Sequence, residues 1–153
     1  MSVNIIIGAD HGGFELKEKI CEWLQKEGHV VTDIGASNFD PSDDYPDFAA
    51  KVSEDLLITP DSKGIVICGS GVGASIAANK INGIRAAVCH DTYSASQGVE
   101  HDDMNILCIG ARVIGVALAM EIIKSFVRSS FSKEDRHVRR LKKVLSLETG
   151  LQE

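Results

Sequence analysis

Short apolar runs alternate along the chain with longer segments in which apolar residues recur at helical spacing. The apolar runs predict five strands, at about 3–8, 30–34, 64–68, 85–89 and 105–109. The longer segments predict six helices, at about 13–27, 47–57, 72–81, 92–100, 115–129 and 133–147. A polar, turn-rich stretch over 35–46 predicts a loop.

Strands that are apolar throughout and separated by helices indicate a parallel sheet covered on both faces. We therefore expect an α/β protein: a doubly wound, three-layer αβα sandwich with five parallel strands, Rossmann-like or flavodoxin-like, in one domain over 1–153. Ligands of such folds bind outside the carboxyl ends of the strands. This rule selects four candidate segments, at 10–11, 68–73, 90–91 and 110–112.

Composition narrows the class of protein. Hydrophobic residues make up 44% and charged residues 25% of the 153 residues, ordinary values for a packed globular chain. The four cysteines are widely spaced without a C-x-x-C pair, which disfavours a structural zinc site. Neither a signal-peptide pattern nor an apolar stretch of membrane-spanning length is evident. We therefore expect a cytoplasmic protein with reduced thiols and no membrane partner.

The net charge of −6 is unevenly distributed. Residues 124–143 include eight basic and two acidic side chains, a local +6, so the remainder carries −12. A basic C-terminal segment could bind phosphate groups, nucleic acid or an acidic partner surface. Nucleic acid is disfavoured, because the remainder is acidic and 136–143 contains no aromatic residue to stack on bases.

The strongest chemical motif is the glycine loop Cys68-Gly69-Ser70-Gly71-Val72-Gly73, between the third strand and a helix. Glycines let the backbone bend around a ligand, and amides at a helix N-terminus favour an anion. A thiolate of Cys68 could take a proton from a carbon next to a carbonyl, and the loop could hold the resulting oxyanion. A strand-end cysteine is also often a small buried hydrophobe, so spacing leaves both roles open.

The same loop matches part of a dinucleotide fingerprint. Gly69, Gly71 and Ala74 have the required spacing, and Asp91 follows about twenty residues later. The fingerprint normally follows the first strand, whereas this loop follows the third. A dinucleotide-binding domain is therefore the weaker alternative.

Three further positions near strand ends could take part in chemistry. Asp10 could cap the first helix, and His11 beside it could bind a sugar hydroxyl. His101, in the predicted loop before the fifth strand, could act as an acid or base near neutral pH or be a solvated loop residue.

The basic helix near the C-terminus could bind phosphate. Arg136 and Arg140 are four residues apart and share a helix face, so their guanidinium groups could clamp one phosphate. Arg112, after the fifth strand, could be a third phosphate partner. A solvated basic helix is the competing interpretation.

Together these segments closely resemble the type B ribose-5-phosphate isomerase family, which also includes the galactose-6-phosphate isomerase subunits. The resemblance runs from Ile5 to about Arg140. The matching stretches are Gly8-Ala9-Asp10-His11, Asp44-Tyr45-Pro46, Cys68 to Gly73, Ile76-Ala77-Ala78-Asn79-Lys80, Gly83-Ile84-Arg85-Ala86, Gly110-Ala111-Arg112-Val113 and Arg136-His137. One branch of the family has a glutamate base where this chain has Ala74, so the chain resembles the cysteine branch.

The resemblance implies interconversion of ribose 5-phosphate and ribulose 5-phosphate, a step of the pentose phosphate pathway, without metal or cofactor. It implies that Cys68 moves the proton between C2 and C1, that Ser70 assists, and that His101 opens the sugar ring. The remaining roles are implied in the same way. The amides of Gly69, Ser70, Gly71, Val72 and Gly73 hold the enediolate, Asp10, His11 and Tyr45 contact the sugar, and Arg112, Arg136, His137 and Arg140 bind the phosphate.

The resemblance also implies a homodimer or dimer of dimers with shared sites, in which the helix at about 133–147 reaches the partner. Two positions depart from the family pattern: Asp102 stands where most members have asparagine, and Val99 where many have arginine. A carboxylate at Asp102 beside a forming enediolate would oppose it electrostatically. The sequence leaves open a hexose 6-phosphate substrate, allose or galactose, and a receiver-like module with Asp10 as phosphoacceptor.

Overall fold

The computed structural model describes residues 1–150. The strands are β1 (Asn4–Ala9), β2 (Val30–Asp33), β3 (Ser62–Cys68), β4 (Ala86–Val88) and β5 (Ile106–Gly110). The helices are α1 (Phe14–Lys26), α2 (Tyr45–Ile58), α3 (Val72–Ala78), α4 (Thr92–Asp102), α5 (Val116–Arg128) and α6 (Asp135–Glu148). The predicted strands and helices are thus confirmed in type and order, with boundaries shifted by a few residues. Within this part of the chain every helix is too short or too polar to span a bilayer.

All strand pairs are parallel, and the sheet order is β2-β1-β3-β5-β4. The chain moves outward from β1 to β2 and then returns past β1 to β3, so the winding direction reverses there. The carboxyl ends of β1 and β3 therefore flank the switch point, where ligands of doubly wound sheets bind. Beyond β3 the order is not sequential, because β5 lies between β3 and the edge strand β4.

Helices cover both faces of the sheet and enclose two apolar cores. Buried side chains of α1, α4 and α5 pack on one face, against alternate residues such as Ile7, Ile67 and Ile109. Buried side chains of α2 and α3 pack on the other face, where Cys68 lies. Because strand side chains alternate between faces, the central strands β1, β3 and β5 carry buried apolar residues on both faces. The edge strand β2 ends in Thr32 and Asp33 and is largely exposed, so the expectation that every strand is apolar throughout is wrong for it. The three-layer sandwich is confirmed.

Candidate active site

The switch point brings Asp10 and Cys68 side by side. Ala9 pairs with Ile67 across β1 and β3, so the residues that follow them emerge together at the carboxyl edge of the sheet. Both side chains are buried, with 7% of Asp10 and 4% of Cys68 exposed. They border a cleft of about 340 Å³, which is lined by Asp10, Tyr45, Cys68, Gly69, Ser70, Gly73, Arg112 and Val113.

The glycine loop folds back over the thiol. The Gly71 N–H donates to Cys68 Sγ at 3.1 Å, and the Val72 N–H donates to Ser70 Oγ at 3.2 Å. Gly71 has φ +78°, and a Cβ there would lie 3.0 Å from the carbonyl carbon of Ile109. Glycine is therefore required at this position, both for the left-handed backbone and for its close approach to β5. The loop holds Ser70 in the open and the sulfur at the base of the cleft.

Two side chains from other elements close against the glycines. A Cβ on Gly73 would lie 2.6 Å from Cζ of Tyr45, so the tyrosine ring rests directly on the loop. Tyr45 is the first residue of α2, two residues earlier than the predicted start of that helix. A Cβ on Gly69 would lie 3.4 Å from Nη1 of Arg112. Small residues in the loop thus admit an aromatic ring and a guanidinium group to the cleft.

The prediction that Asp10 caps the first helix is wrong. The N-cap of α1 is Gly13, and Asp10 Oδ1 accepts from the Gly13 N–H at 3.2 Å. Residues 11–13 form a turn between β1 and α1, and this hydrogen bond closes that turn before the helix begins. The carboxylate thereby stays at the cleft, where a substrate can reach it.

Sequence reasoning missed Asp43. Its Oδ1 lies 2.7 Å from His11 Nδ1 and also accepts the His11 backbone N–H at 2.8 Å. The hydrogen bond to Asp43 raises the pKa of His11, and the negative charge of Asp10 acts in the same direction. Asp43 lies in a loop without secondary-structure periodicity, so only its neighbourhood with Asp44 and Tyr45 could have drawn attention to it.

One donor atom from each of Asp10, His11 and Asp43 lies within 4.8 Å of the others. Such spacing is compatible with a cation. The direct hydrogen bond between His11 and Asp43 accounts for their approach without one, and it occupies the His11 nitrogen that faces the carboxylate.

A second cluster of expected site residues forms around His101. His101 lies in the last turn of α4, which extends to Asp102, and not in a loop as predicted. Its ring stacks on that of His137 with centroids 4.0 Å apart, and its Nδ1 lies 2.8 Å from Gln97 Nε2. Asp102 is exposed next to it. The histidine pair joins the end of α4 to the start of α6.

His137, which the resemblance assigns to phosphate binding, is buried at the start of α6. Its side chain is 1% exposed, and its Nδ1 lies 2.6 Å from Ser132 Oγ. Burial lowers the pKa of His137, and the positive charges of His101 and Arg136 lower it further. Arg136 and Arg140 are exposed on the same helix, and Arg136 Nε lies 2.8 Å from Glu134 Oε2.

The two clusters lie at opposite ends of the parallel strands. A helix that connects two parallel strands runs antiparallel to them, so the last turn of α4 lies near the amino ends of the strands. Cys68 lies at the carboxyl ends. The eleven residues of α4 extend for about 16 Å. His101 and Cys68 of one chain therefore do not meet.

The structure disfavours the dinucleotide alternative. Asp91 accepts from Ser94 through both carboxylate oxygens and caps α4, so it is already engaged. It follows β4, which is separated from β3 by β5. In the dinucleotide fold the acidic residue binds the ribose of a cofactor whose pyrophosphate lies on the glycine loop. Here an intervening strand separates the two.

The fold and site define an α/β protein in which a cysteine and a glycine loop meet at the switch point of a parallel sheet, beside an arginine suited to an anion. The chain belongs to the Ribose/Galactose Isomerase family, whose model matches residues 5–144.

Solved structures and a curated relative agree with this membership. A ribose-5-phosphate isomerase B from Clostridium thermocellum is 46% identical with a TM-score of 0.91, over 96% of this chain and 98% of that one. The Mycoplasma genitalium ribose-5-phosphate isomerase B with bound ribulose-5-phosphate is 37% identical with a TM-score of 0.90, over 97% of each chain. The D-erythrulose-4-phosphate isomerase of Pectobacterium atrosepticum is 42% identical over 132 residues, 84% of this chain and 85% of the relative.

Proposed function

We propose that this protein is an aldose-ketose isomerase that interconverts ribose 5-phosphate and ribulose 5-phosphate. The observation that carries the proposal is the Cys68 thiol under the Gly71 amide, in a cleft with Asp10, Tyr45 and Arg112. Support for the pentose comes from the ribulose-5-phosphate bound to a structural relative that matches nearly the whole chain. The reaction is the isomerisation step of the pentose phosphate pathway.

Cys68 is the proposed base. In the open-chain aldose, its thiolate removes the C2 proton, and the electrons move towards the carbonyl to form an enediolate. The same thiol then returns the proton to C1, and the hydroxyl proton passes from O2 to O1, which leaves the ketose carbonyl at C2. The Gly71 N–H faces the sulfur, where negative charge must develop when the proton leaves, and a donor in that position stabilises it.

The glycine loop is the proposed enediolate site. The first N–H groups of α3 have no carbonyl partner within the helix, since no turn precedes them. Gly73 belongs to this first turn and lines the cleft. Amide donors fixed in place before the reaction stabilise oxyanion charge without having to reorganise. Ser70, exposed beside them, can assist by donating to a substrate oxygen.

Side chains on both sides of the Cys68 thiol are proposed to position the substrate. Asp10 and Tyr45 border the cleft and can hydrogen-bond the sugar hydroxyls, and His11 follows Asp10 at the rim of a neighbouring groove. Arg112 borders the cleft on the side of β5 and can bind the phosphate with its guanidinium fork.

The remaining site residues come from a partner subunit in this proposal. His101 of the same chain is too far from Cys68 to open the ring of a sugar held there. In a homodimer, or a dimer of such dimers, His101 and Asp102 of each subunit face the Cys68 cleft of the other. A two-fold interface creates two such sites, because each subunit contributes the same two surfaces.

The helix α6 supports this arrangement. His137 is the buried residue of α6, whereas Val144 and Leu147 are exposed, Leu147 by 68%. Its basic side chains Arg136 and Arg140 add positive charge to a chain that is acidic elsewhere. We propose that α6 presents these arginines to the phosphate in the partner's cleft, and that residues 1–153 form a single isomerase domain.

The free thiols favour a reducing compartment. All four cysteines are unpaired, and Cys68, Cys89 and Cys108 are buried. Disulfides are rare in the cytoplasm and common outside it, so we propose that the enzyme acts in the cytoplasm.

A turnover assay with purified protein tests the substrate. Ribose 5-phosphate is compared with allose 6-phosphate, galactose 6-phosphate and D-erythrulose 4-phosphate, the last because of the relative that carries that activity in its name. We expect the highest kcat/KM for ribose 5-phosphate. A higher kcat/KM for another sugar phosphate would mean that the proposed isomerase chemistry holds but that this other sugar is the preferred substrate. Turnover of none of the four would refute the proposal.

A further inference from the structure

The pair His11–Asp43 links two loops beside the cleft. His11 follows β1 directly, whereas Asp43 lies in the loop between β2 and α2, just before Tyr45. Asp43 Oδ1 accepts from both the backbone N–H and the ring Nδ1 of His11, at 2.8 and 2.7 Å. One carboxylate oxygen therefore fixes both the backbone and the ring of the same histidine.

The surroundings of this pair are negatively charged. The Asp43 side chain is 11% exposed, and its Oδ2 is buried without a hydrogen-bond partner among residues 1–150. A carboxylate removed from water requires a compensating cation, and the His11 ring is in direct contact with it. Asp10 and Asp40 add negative charge near the ring.

Other charged groups near His11 come from α1. Glu15 and Lys19 line the same groove as His11, and their opposite charges offset each other. The β5–α5 segment contributes Ala111, Ile114 and Gly115 to the groove, which carry no charge. Acidic groups therefore dominate the electrostatic environment of His11.

We infer that Asp43 is a positioning residue that holds His11 as an imidazolium, with Nε2–H directed away from the carboxylate and able to donate to the substrate. Since Nδ1 faces Asp43, Nε2 lies on the other side of the ring, and 31% of the His11 side chain is exposed. The role assigned to His11 rests on the proposed function, but the state of the His11–Asp43 pair does not.

The inference gives Asp43 an effect that depends on pH. Loss of the Asp43 charge lets the pKa of His11 fall, so that at alkaline pH a larger fraction of the ring is neutral. A neutral ring donates through only one nitrogen, and its tautomer is no longer set by a carboxylate. Substrate binding should therefore weaken with rising pH in a variant that lacks this charge.

The first experiment is an NMR titration of the histidine rings in the full chain, with the His11 signal assigned from His11→Gln. In Asp43→Asn we expect the His11 midpoint to move to lower pH. The control is Asp44→Asn, because Asp44 is exposed and its side chain makes no capping bond; it should leave the midpoint in place. An unchanged midpoint in Asp43→Asn would overturn the inference, even if ribose 5-phosphate proves not to be the substrate.

The second experiment measures kinetics with ribose 5-phosphate between pH 6 and 8.5. We expect Asp43→Asn to lose about tenfold in kcat/KM at the upper end, mainly through KM, and less at the lower end. In a His11→Gln background the same change should have no further effect, because Asp43 acts through His11. A loss that is equal at every pH, or that adds to that of His11→Gln, would indicate a merely structural role. Asp43→Ser replaces the variant if Asp43→Asn does not fold.

Discussion

The imidazole rings of His101 and His137 stack with centroids 4.0 Å apart and planes inclined by 26°. His137 is the buried member of the pair and binds Ser132 Oγ, so it fixes the plane against which His101 rests. His101, half-buried at the end of α4, keeps access to solvent. A buried ring thus holds in place the histidine that the proposed mechanism uses to open the sugar.

The stability of the fold should depend on the protonation of His137. Its pKa lies below the ordinary 6.5 because of burial and the charges of His101 and Arg136. Below pH 6.5 the His137 ring therefore binds a proton more readily in the unfolded chain than in the folded chain. The free energy of unfolding consequently falls as pH decreases. We expect the Tm to decrease less between pH 7 and 5 in His137→Gln than in the wild type. The control is His29→Gln, outside both clusters, and equal slopes in all three proteins would contradict the prediction.

Substitution of Cys68 should abolish turnover without unfolding the chain. Cys68→Ala and Cys68→Ser remove the proposed base, and loss of a positioned base costs about 10²- to 10⁴-fold in rate. The measurement is kcat for ribose 5-phosphate, together with the Tm of each variant. The control Cys21→Ala changes a cysteine on α1, away from the cleft, and should retain wild-type kcat. Full activity in both Cys68 variants would place the base elsewhere.

A subunit-mixing experiment should reveal shared active sites. Cys68→Ala and His101→Gln are each expected to be inactive, but a mixed dimer would combine one intact Cys68 with one intact His101 at the same site. Random assembly after co-expression should restore about one quarter of wild-type activity, since half the dimers are mixed and each has one complete site. Failure of the mixture to recover activity, with mixed dimers present by mass spectrometry, would argue against sharing.

A methyl group on Gly73 should impair substrate binding more than folding. In Gly73→Ala the added Cβ would overlap the Tyr45 ring, which can move outwards because it is an exposed side chain. We expect KM for ribose 5-phosphate to rise about fivefold, the equivalent of one lost hydrogen bond. The Tm should change little. Gly115→Ala is the matched control, since a Cβ there has open space, and an equal effect of both variants on KM would contradict the prediction.

Asp102→Asn should retain or raise activity. Asp102 is exposed beside His101 at the end of α4. In the proposed shared site its carboxylate would approach the cleft of the partner subunit. Negative charge there opposes the enediolate, and its removal should raise kcat/KM by up to about tenfold. The control is Glu22→Gln, which removes one negative charge on α1, far from the end of α4. A large drop in kcat/KM for Asp102→Asn would assign the carboxylate a positive role.

The strand-and-helix alternation was predictable because it depends on local periodicity. The position of Cys68 at a strand end followed from the apolar run before it, and the glycine loop followed from its composition. Tyr45 was predicted in a loop, because the polar stretch before it shows no period, although Pro46 suits the first turn of a helix. His101 was likewise placed in a loop, since the acidic residues after it resemble a turn.

The amino-acid sequence alone determined the layered α/β fold, the thiol at the end of β3 and the family that these residues indicate, because each rests on short-range pattern or ordered motifs. Only the tertiary structure decided which of these residues meet. The switch between β1 and β3 brings Asp10 to Cys68, whereas the antiparallel course of α4 carries His101 to the far edge of the sheet. The contact of His11 with Asp43 joins residues 32 apart in the chain, a separation over which no local pattern acts.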